Sequence, residues 1–367
     1  MHAAKFPGKA RSMFKHLVFL AALAPLPAWA QGSTAAKVGA IYAMSGDMAS
    51  WGKNCWQGAE LALLDLKERS AAPQLQLILE DSPNAKPTNA ISAFRKLTDT
   101  DHVQYILGPM SPEEYAAVAP LADRAGIPLL PFVSSKIKVP AALFMWMDPE
   151  TEAQRIAEYV AARHKRVLVL SSNQEWEALV GQTFKAYVTE KGLSVPLIEE
   201  PPFDSSEVRS QIAKVRQEKF DAIFITSYLL FPKYMKALSA AGIQVPLYSI
   251  ELDASAIAAT GGAAEGLVFI RPAAPNERFI QAFHSKWGSD PDVPASQCYD
   301  SVMILSRALA AGATNKESFS AYVKDFPKFE GASGTISVEN GKTIMSTELF
   351  QVSNGAIVRL ETGPSNK

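Results

Sequence analysis

The sequence has few of the residues that carry enzyme and metal chemistry. Its 367 residues include five histidines and two cysteines. After residue 30 the histidines are His102, His164 and His284, which lack the spacing of a metal site. The motifs of phosphate-binding loops, dinucleotide-binding folds, zinc peptidases and serine hydrolases are also missing. We therefore expect neither an enzyme nor a bound metal ion or cofactor.

Net charge and long apolar runs are equally limited. The formal net charge is −1, which argues against a nucleic-acid partner. Apolar residues make up 48% and charged residues 20%, as is usual for soluble globular proteins, and the length is enough for two domains. No stretch after residue 30 reaches the roughly twenty apolar residues that a membrane span needs.

The first thirty residues differ from the rest of the chain. A basic region is followed by the apolar run from Leu17 to Leu26 and by Ala28-Trp29-Ala30, which matches a small-x-small cleavage site. This order predicts a secretory signal peptide over residues 1–30 and hence a periplasmic protein. The alternative is a membrane span, but the apolar run is only about half as long as a span requires.

After residue 30, short apolar runs alternate with amphipathic segments, which predicts a doubly wound α/β fold with parallel strands. In the first half, strands are predicted at 37–42, 75–79, 105–107 and 127–133, and helices at 55–67, 89–97 and 112–125. A second series of the same plan has strands at 166–171, 195–198, 221–226, 247–250 and 266–270, with helices at 152–163, 181–191, 206–218 and 231–241. Helices at 275–287, 299–311 and 316–326 then precede antiparallel strands at 335–338, 349–352 and 356–360.

The stretch from Tyr105 to Ser135 contains a complete strand, helix and strand. Ser111 and Glu114 have the spacing of a capping box at the start of the helix. Ligands of open parallel sheets bind beyond the carboxyl ends of the strands, where Ser111 and the pair Ser134-Ser135 fall. We interpret this unit as a candidate anion-binding clamp.

The order of short motifs resembles the leucine/isoleucine/valine-binding protein family, whose members are periplasmic receptors of ATP-driven uptake systems. The resemblance covers essentially the whole chain after residue 30, in the segments Val38–Ile41, Ser45-Gly46, Trp51-Gly52, Gly58–Ala62, Gly108–Ser111, Ala117–Pro120, Ala125–Leu129, Ala263–Leu267 and Tyr299–Val302. It implies the type I periplasmic binding protein fold, with two doubly wound lobes and a ligand cleft between them.

The resemblance also implies how the chain is divided between the lobes. Three crossings are expected, near 147–151, 270–272 and 334–337. Lobe one would then hold residues 31–148 and 272–334. Lobe two would hold residues 149–271 and 335–367.

The resemblance further implies which residues hold the carboxylate of a ligand. Ser134 and Ser135 align with a carboxylate-binding loop, where Ser134 would contribute a backbone contact and Ser135 a hydroxyl. Ser111 lies in the other such loop, although its role as a helix cap alone would also explain it. For Ser134 and Ser135, the alternative to a carboxylate-binding role is an ordinary polar loop.

Aromatic and acidic positions complete the implied site. Trp51, Trp176 and Tyr228 align with aromatic residues that wall the family's pocket, with partial burial in a core as the alternative. Glu251 aligns with the acid that pairs with the ligand ammonium, with a solvated loop carboxylate as the alternative.

The two cysteines raise the question of a disulfide. Cys55 begins the first predicted helix of lobe one, and the family pattern places Cys298 in lobe one as well. Since an oxidising compartment favours pairing, we predict a bond between them, with two buried thiols as the alternative.

Together these features predict a monomeric receptor for a small amino acid, either branched-chain, apolar or aromatic. The receptor would close around the ligand and present it to an ABC permease and ATPase complex in the inner membrane. Within the same class, the alternative is a receptor for an amide or for an aromatic or aliphatic carboxylate. Outside it, the alternative is a ligand sensor that acts on a regulator.

Overall fold

A computed structural model of the protein describes residues 35–69 and 72–361, so the predicted signal peptide lies outside the described residues. The strands are Ala36–Tyr42 (β1), Leu75–Asp81 (β2), Tyr105–Leu107 (β3), Leu129–Leu130 (β4), Val167–Leu170 (β5), Ile198–Glu199 (β6), Ala222–Ile225 (β7), Leu247–Ile250 (β8), Val268–Pro272 (β9), Phe329–Gly331 (β10), Gly334–Glu339 (β11), Lys342–Met345 (β12), Thr347–Ser353 (β13) and Ala356–Arg359 (β14). The α-helices are Ala49–Lys67 (α1), Pro87–Arg95 (α2), Pro112–Ala125 (α3), Pro149–Ala161 (α4), Glu175–Glu190 (α5), Arg209–Val215 (α6), Phe231–Ala240 (α7), Ala254–Ala259 (α8), Glu277–Trp287 (α9), Ala295–Ala310 (α10) and Lys316–Lys324 (α11). None of these helices has the length and apolar composition that crossing a membrane requires.

Lobe one is built on a four-stranded parallel sheet in the order β2-β1-β3-β4. The residues of β1 alternate between two cores, since Val38 and Ala40 belong to one cluster of buried side chains and Ile41 to another. Both faces of a parallel sheet are covered by helices, which explains why the buried part of β1, from Val38 to Tyr42, carries no charged residue.

Lobe two has a seven-stranded sheet in the order β14-β13-β9-β8-β7-β5-β6. The five strands from β9 to β6 are parallel, and β13 and β14 add an antiparallel edge. Along β5, Leu168 and Leu170 pack into one core while Val167 and Val169 pack into the core on the opposite face. The continuous apolar run in the sequence thus reflects burial on both sides of the sheet.

The third crossing lies later than the sequence predicted. It was expected near 334–337, with all residues after 334 in lobe two. Instead β10, β11 and β12 form a three-stranded antiparallel sheet whose Ile336 and Met345 pack in the core of lobe one. The chain enters lobe two at β13, which pairs with β9. Sequence pattern alone could not decide this, because an amphipathic antiparallel strand fits the edge of either lobe.

Both predicted Asn-Gly turns connect antiparallel strands. Asn340-Gly341 joins β11 to β12, and Asn354-Gly355 joins β13 to β14. All four residues have positive φ angles, between 52° and 74°. That is the backbone conformation of the two-residue hairpin turn that Asn-Gly favours.

Helices α1 and α5 each begin six residues earlier than the sequence predicted. Helix α1 begins at Ala49 instead of Cys55, and α5 begins at Glu175 instead of Gly181, so Trp51 and Trp176 lie in first helical turns and not in loops. The start of α1 has no side-chain cap, and α5 is capped by Gln174, which is not a usual capping residue. Neither start therefore carries the sequence signal on which the prediction of helix boundaries depends.

Cys55 of α1 and Cys298 of α10 form a disulfide, with their Cα atoms 5.1 Å apart, as predicted. The two helices pack closely beside this bond. A Cβ atom at Gly58 would lie 1.9 Å from the carbonyl oxygen of Ala295, so only glycine permits this approach. The bond joins the first helix of lobe one to a helix that the chain reaches only after completing most of lobe two.

Replacing Cys55 and Cys298 together by alanine is expected to lower the free energy of unfolding by about 2–4 kcal/mol, because the bond closes a long loop in the unfolded chain. Denaturant titration of the variant and the wild type measures the difference. Alkylation of the denatured, unreduced wild type should label no thiol, and a mass increase of two labels would contradict the bond.

Candidate functional site

A cavity of about 640 Å³ lies between the two lobes. On lobe one its wall consists of the first turn of α1 and the segments after β2, β3 and β4; on lobe two it consists of the segments after β5, β6, β7 and β8. Every one of these strands is parallel to its neighbours, so their carboxyl ends reach the same edge of each sheet. The two edges face each other across the cavity.

Six of the seven predicted ligand-binding residues line this cavity. They are Trp51, Ser111, Ser134, Trp176, Tyr228 and Glu251. Ser135 does not line it; its hydroxyl oxygen accepts a hydrogen bond from the Ile137 N–H at 3.1 Å, and its side chain is buried. The structure therefore does not support a ligand contact from the Ser135 hydroxyl, which stabilises the turn of its own loop.

Ser111 caps α3, as the sequence predicted. Its hydroxyl oxygen accepts a hydrogen bond from the Glu114 N–H at 3.2 Å, and the Glu114 carboxylate accepts one from the Ser111 N–H at 3.1 Å. The Ser111 hydroxyl also donates to the Ala85 carbonyl at 3.3 Å. Since the residue lines the cavity as well, it combines the structural role with a position at a helix N-terminus, where anions are favoured.

Aromatic rings form much of the cavity wall. Trp51 lies edge-on to Tyr228, with ring centroids 5.6 Å apart, and next to Trp146, with centroids 5.3 Å apart. Tyr228 belongs to lobe two, whereas Trp51 and Trp146 belong to lobe one, so the contact between Trp51 and Tyr228 joins the lobes. The position of Trp146 on the cavity wall was not predicted from the sequence. The residue lies in an apolar segment, Ala141 to Met147, whose pattern is typical of a buried core.

Glu251 is buried at the end of β8. Its φ angle of 50° is in the left-handed region, which costs a non-glycine residue about 1 kcal/mol or more. Its N–H donates to the Ile270 carbonyl at 2.7 Å and its carboxylate accepts a hydrogen bond from the Trp146 indole N–H. Burial raises the pKa of Glu251 to about 8, against the lowering effect of the Trp146 hydrogen bond. Glu251 thus combines backbone strain, burial and a raised pKa on the cavity wall, features that cluster at functional sites in proteins.

Glu177 is a second buried acid on the wall that the sequence did not reveal. Its carboxylate accepts hydrogen bonds from the Ser172 hydroxyl and from the Tyr228 N–H, the latter at 2.8 Å. Burial raises its pKa to about 7. These bonds hold the segment that carries Tyr228 against the start of α5.

The remaining charged residues on the wall are mostly acidic as well. Asp47, Glu113 and Asp204 join Glu177 and Glu251, whereas Lys86 is the one basic residue among those that line the cavity in the described structure. Lys86 precedes α2 on lobe one, next to Ala85 and the Ser111 hydroxyl. Lobe one therefore offers Lys86 and hydroxyl groups beside Asp47 and Glu113, whereas the buried acids Glu177 and Glu251 belong to lobe two.

Polar contacts also connect the lobes beside the cavity. The Ser50 hydroxyl of lobe one donates to the Asp253 carboxylate of lobe two at 2.6 Å, and Asp253 also accepts from the Tyr228 hydroxyl at 3.0 Å. Arg271 of β9 donates to Asp292, which precedes α10, at 2.7 Å. The lobes are thus in contact in this structure.

The sequence of the chain matches a known protein family. The sequence profile of the family described as periplasmic binding protein matches residues 35–356. The chain belongs to the periplasmic binding protein family. This confirms the predicted family and fold class, and the family is one of binding proteins and not of enzymes.

Individual relatives in this periplasmic binding protein family are distant. The Leu/Ile/Val-binding protein homolog 7 of Brucella suis is 23% identical over 231 residues, which are 59% of this chain. The match spans 58% of the length of that relative.

Solved structures share the fold over nearly the whole chain. A leucine binding protein from Thermotoga maritima is 24% identical, with a TM-score of 0.79 that covers 89% of this chain and 98% of that one. A solute binding protein from R. palustris in complex with 4-hydroxybenzoate is 18% identical, with a TM-score of 0.80 that covers 90% of this chain and 96% of that one. At these identities the likeness shows the two-lobed fold alone.

The buried acids make the stability of this binding protein depend on pH. Burial raises the pKa of Glu114 and Glu177 from 4.5 to about 7 and that of Glu251 to about 8. The folded chain therefore keeps protons that the unfolded chain has released, so stability is lost as the pH rises from about 5 to 8. The midpoint of thermal unfolding should fall over this interval.

A matched pair of variants tests whether the buried acids cause this loss of stability with rising pH. Glu114→Gln should flatten the decline, because an amide does not titrate, whereas Glu317→Gln on the exposed side of α11 should leave it unchanged. A midpoint that rises from pH 5 to pH 8 in the wild type would contradict the assignment.

Proposed function

We propose that this chain is the periplasmic receptor of an ABC uptake system and binds a small amino acid by closing its two lobes. The observation that carries the proposal is one cavity with hydroxyl groups and a lysine on one wall and a buried acid on the other. Ser111, Ser134 and Lys86 lie on lobe one and the buried Glu251 on lobe two. A zwitterion would place its carboxylate on the first wall and its ammonium group on the second.

This arrangement couples binding to closure. An amino acid bound to lobe one gains its charge contact with Glu251 only when lobe two is closed over it. The ammonium group in turn neutralises a carboxylate that would be costly to keep charged in a buried position. Trp51, Tyr228 and Trp146 would cover the apolar part of the ligand. The receptor would then offer its closed form to a permease and ATPase complex as a monomer.

A receptor for an aromatic carboxylate is the second candidate. It is favoured by the aromatic wall and by the raised pKa of Glu251, which keeps this acid largely neutral near pH 7 in the empty site. A neutral Glu251 does not require an ammonium partner. The R. palustris protein in complex with 4-hydroxybenzoate has the same fold, which is compatible with such a ligand.

The substitution Glu251→Gln separates the two candidates. It should weaken L-leucine or L-phenylalanine binding by about 2–5 kcal/mol, the cost of breaking a desolvated charge pair. Binding of the deaminated analogues 4-methylpentanoate and 3-phenylpropanoate should change little. Calorimetric titration of wild type and variant with the four compounds measures both effects.

The control for this experiment is Glu190→Gln, at the far end of α5, about 20 Å along the helix from Trp176. It should bind like the wild type. A wild-type protein that prefers the deaminated analogues would reject the amino-acid proposal in favour of the carboxylate receptor.

Substitution of the adjacent residues Ser134 and Ser135 tests which of them contacts the ligand carboxylate. Ser134→Ala should weaken binding of the preferred compound among these four by about 1.5–3 kcal/mol, as for a lost hydrogen bond to a charged group. Ser135→Ala should have little effect on affinity, because Ser135 does not line the cavity. The opposite order of effects in calorimetry would mean that the loop turns its second hydroxyl to the ligand, as the sequence first suggested.

A further inference from the structure

Glu152 is a buried acid that the binding scheme above does not use. It lies in the first turns of α4, directly after the chain enters lobe two, and its side chain is fully buried. Within the described residues neither of its carboxyl oxygens has a hydrogen-bond donor or a basic partner. A buried carboxyl group without a donor is uncommon and calls for an explanation.

The acid that acts on Glu152 is Glu251, which follows β8. The start of α4 and the end of β8 pack in the same core, through Ala153 and Ile250. Two ionised carboxylates have no proton to share and repel each other, so a bond between them requires that one carries a proton. Glu152 is the more completely buried of the two and has no other polar contact, whereas Glu251 lines the cavity and already accepts a hydrogen bond from Trp146. The proton therefore belongs on Glu152.

The charged groups around the pair support this assignment. On α5, Glu177 adds a further negative charge near Glu251. Two cations on neighbouring elements are paired with other acids: Lys342 pairs with Glu150 and Asp148 at the start of α4, and Arg271 of β9 pairs with Asp292. Among the described residues, neither Glu152 nor Glu251 has a salt bridge of its own, so a proton is what limits the negative charge of the pair.

We propose that Glu152 is a positioning residue that stays protonated and donates a hydrogen bond to Glu251, and that binding of a ligand's ammonium group releases a proton from this carboxyl pair. The inference rests on the proposed function, since it concerns the acid that would receive the ammonium group. Glu152 and Trp146 would hold the Glu251 carboxylate from two sides, leaving its free lone pairs directed to the ligand.

Proton release from the carboxyl pair makes the affinity for an amino acid depend on pH in one direction. Burial and the neighbouring acids raise the pKa of both carboxyl groups, so the empty pair holds more than one proton near neutral pH. The ammonium group needs an ionised Glu251, and one proton must leave when it binds. Affinity for an amino acid should therefore rise between pH 6 and pH 8, by up to about tenfold per pH unit, and level off above pH 8.

The protonated carboxyl group can be observed without any ligand. Infrared spectroscopy of the full chain at pH 7 should show the carbonyl band of a protonated carboxylic acid, and Glu152→Gln should remove part of it. Glu158→Gln is the matched control, since Glu158 lies on the exposed face of α4 and accepts a hydrogen bond from Tyr187 that an amide can also accept. A spectrum unchanged by Glu152→Gln would overturn the assignment.

Calorimetry tests the role in binding, with L-leucine and L-phenylalanine as probes. Glu152→Met should weaken binding at pH 7 by about tenfold or more through loss of the hydrogen bond to Glu251. Glu152→Gln, which can still donate, should restore most of this affinity. Wild type titrated at pH 7 in buffers of different ionisation enthalpy should release a proton on binding, and less of one at pH 9.

The outcomes distinguish this inference from the function on which it rests. If wild type binds neither amino acid, the proposed function fails, while the infrared spectra still test the protonation of Glu152 independently. If wild type binds an amino acid and Glu251→Gln weakens it, but no proton is released and Glu152→Met binds normally, the function holds and the role of Glu152 is wrong. If Glu152→Gln is as weak as Glu152→Met, Glu152 acts as a charge and not as a donor.

Discussion

Exclusion of water from carboxyl groups at the ends of parallel strands is the constraint on which this structure depends. Glu251 ends β8 and Glu177 starts α5 after β5, and both are buried where the two sheets face each other. A buried carboxylate must be hydrogen-bonded, paired or neutral. The cleft uses two of these solutions. Glu177 accepts hydrogen bonds from the Ser172 hydroxyl and the Tyr228 N–H, Glu251 accepts one from Trp146, and Glu152 would be neutral through protonation.

The same constraint links the two lobes. The Trp146 indole belongs to lobe one and its acceptor Glu251 to lobe two, so the hydrogen bond forms only when the lobes meet. Ser50 and Asp253 make a second such contact. A ligand ammonium group would add a third interaction at the same place. Closure, proton release and ligand binding would then be parts of one equilibrium, in which each favours the others.

Lobe one is assembled from distant parts of the chain, which explains the position of the disulfide. Helices α1 and α10 pack side by side although the Cys55–Cys298 separation is 243 residues. The close approach at Gly58 brings α10 near the first turn of α1, which carries Trp51. The bond thus stabilises the helix that carries Trp51 into the wall of the cavity.

Much of the fold was accessible from the sequence because it depends on local patterns. Continuous apolar runs predicted the buried parallel strands β5 and β7, the Asn-Gly pairs predicted both hairpins, and Ser111 with Glu114 predicted the cap of α3. Boundaries without such a signal were wrong: α1 and α5 begin before the predicted residue because Met48 makes no cap and Gln174 is an unusual one. The third crossing was misplaced since β11 and β12 suit the edge of either lobe.

The site shows the same division. Strand ends are local features that parallel topology brings to one edge, so the sequence by itself determined that Ser111 and Ser134 lie beyond strand ends, while the family resemblance singled out Tyr228 and Glu251. Only the tertiary structure decided that Ser135 turns away, that Trp146 donates to Glu251 and that Glu152 lies against it. The surroundings of Glu251 depend on segments about one hundred residues away in the chain, and no pattern within either segment records which buried side chain it will meet.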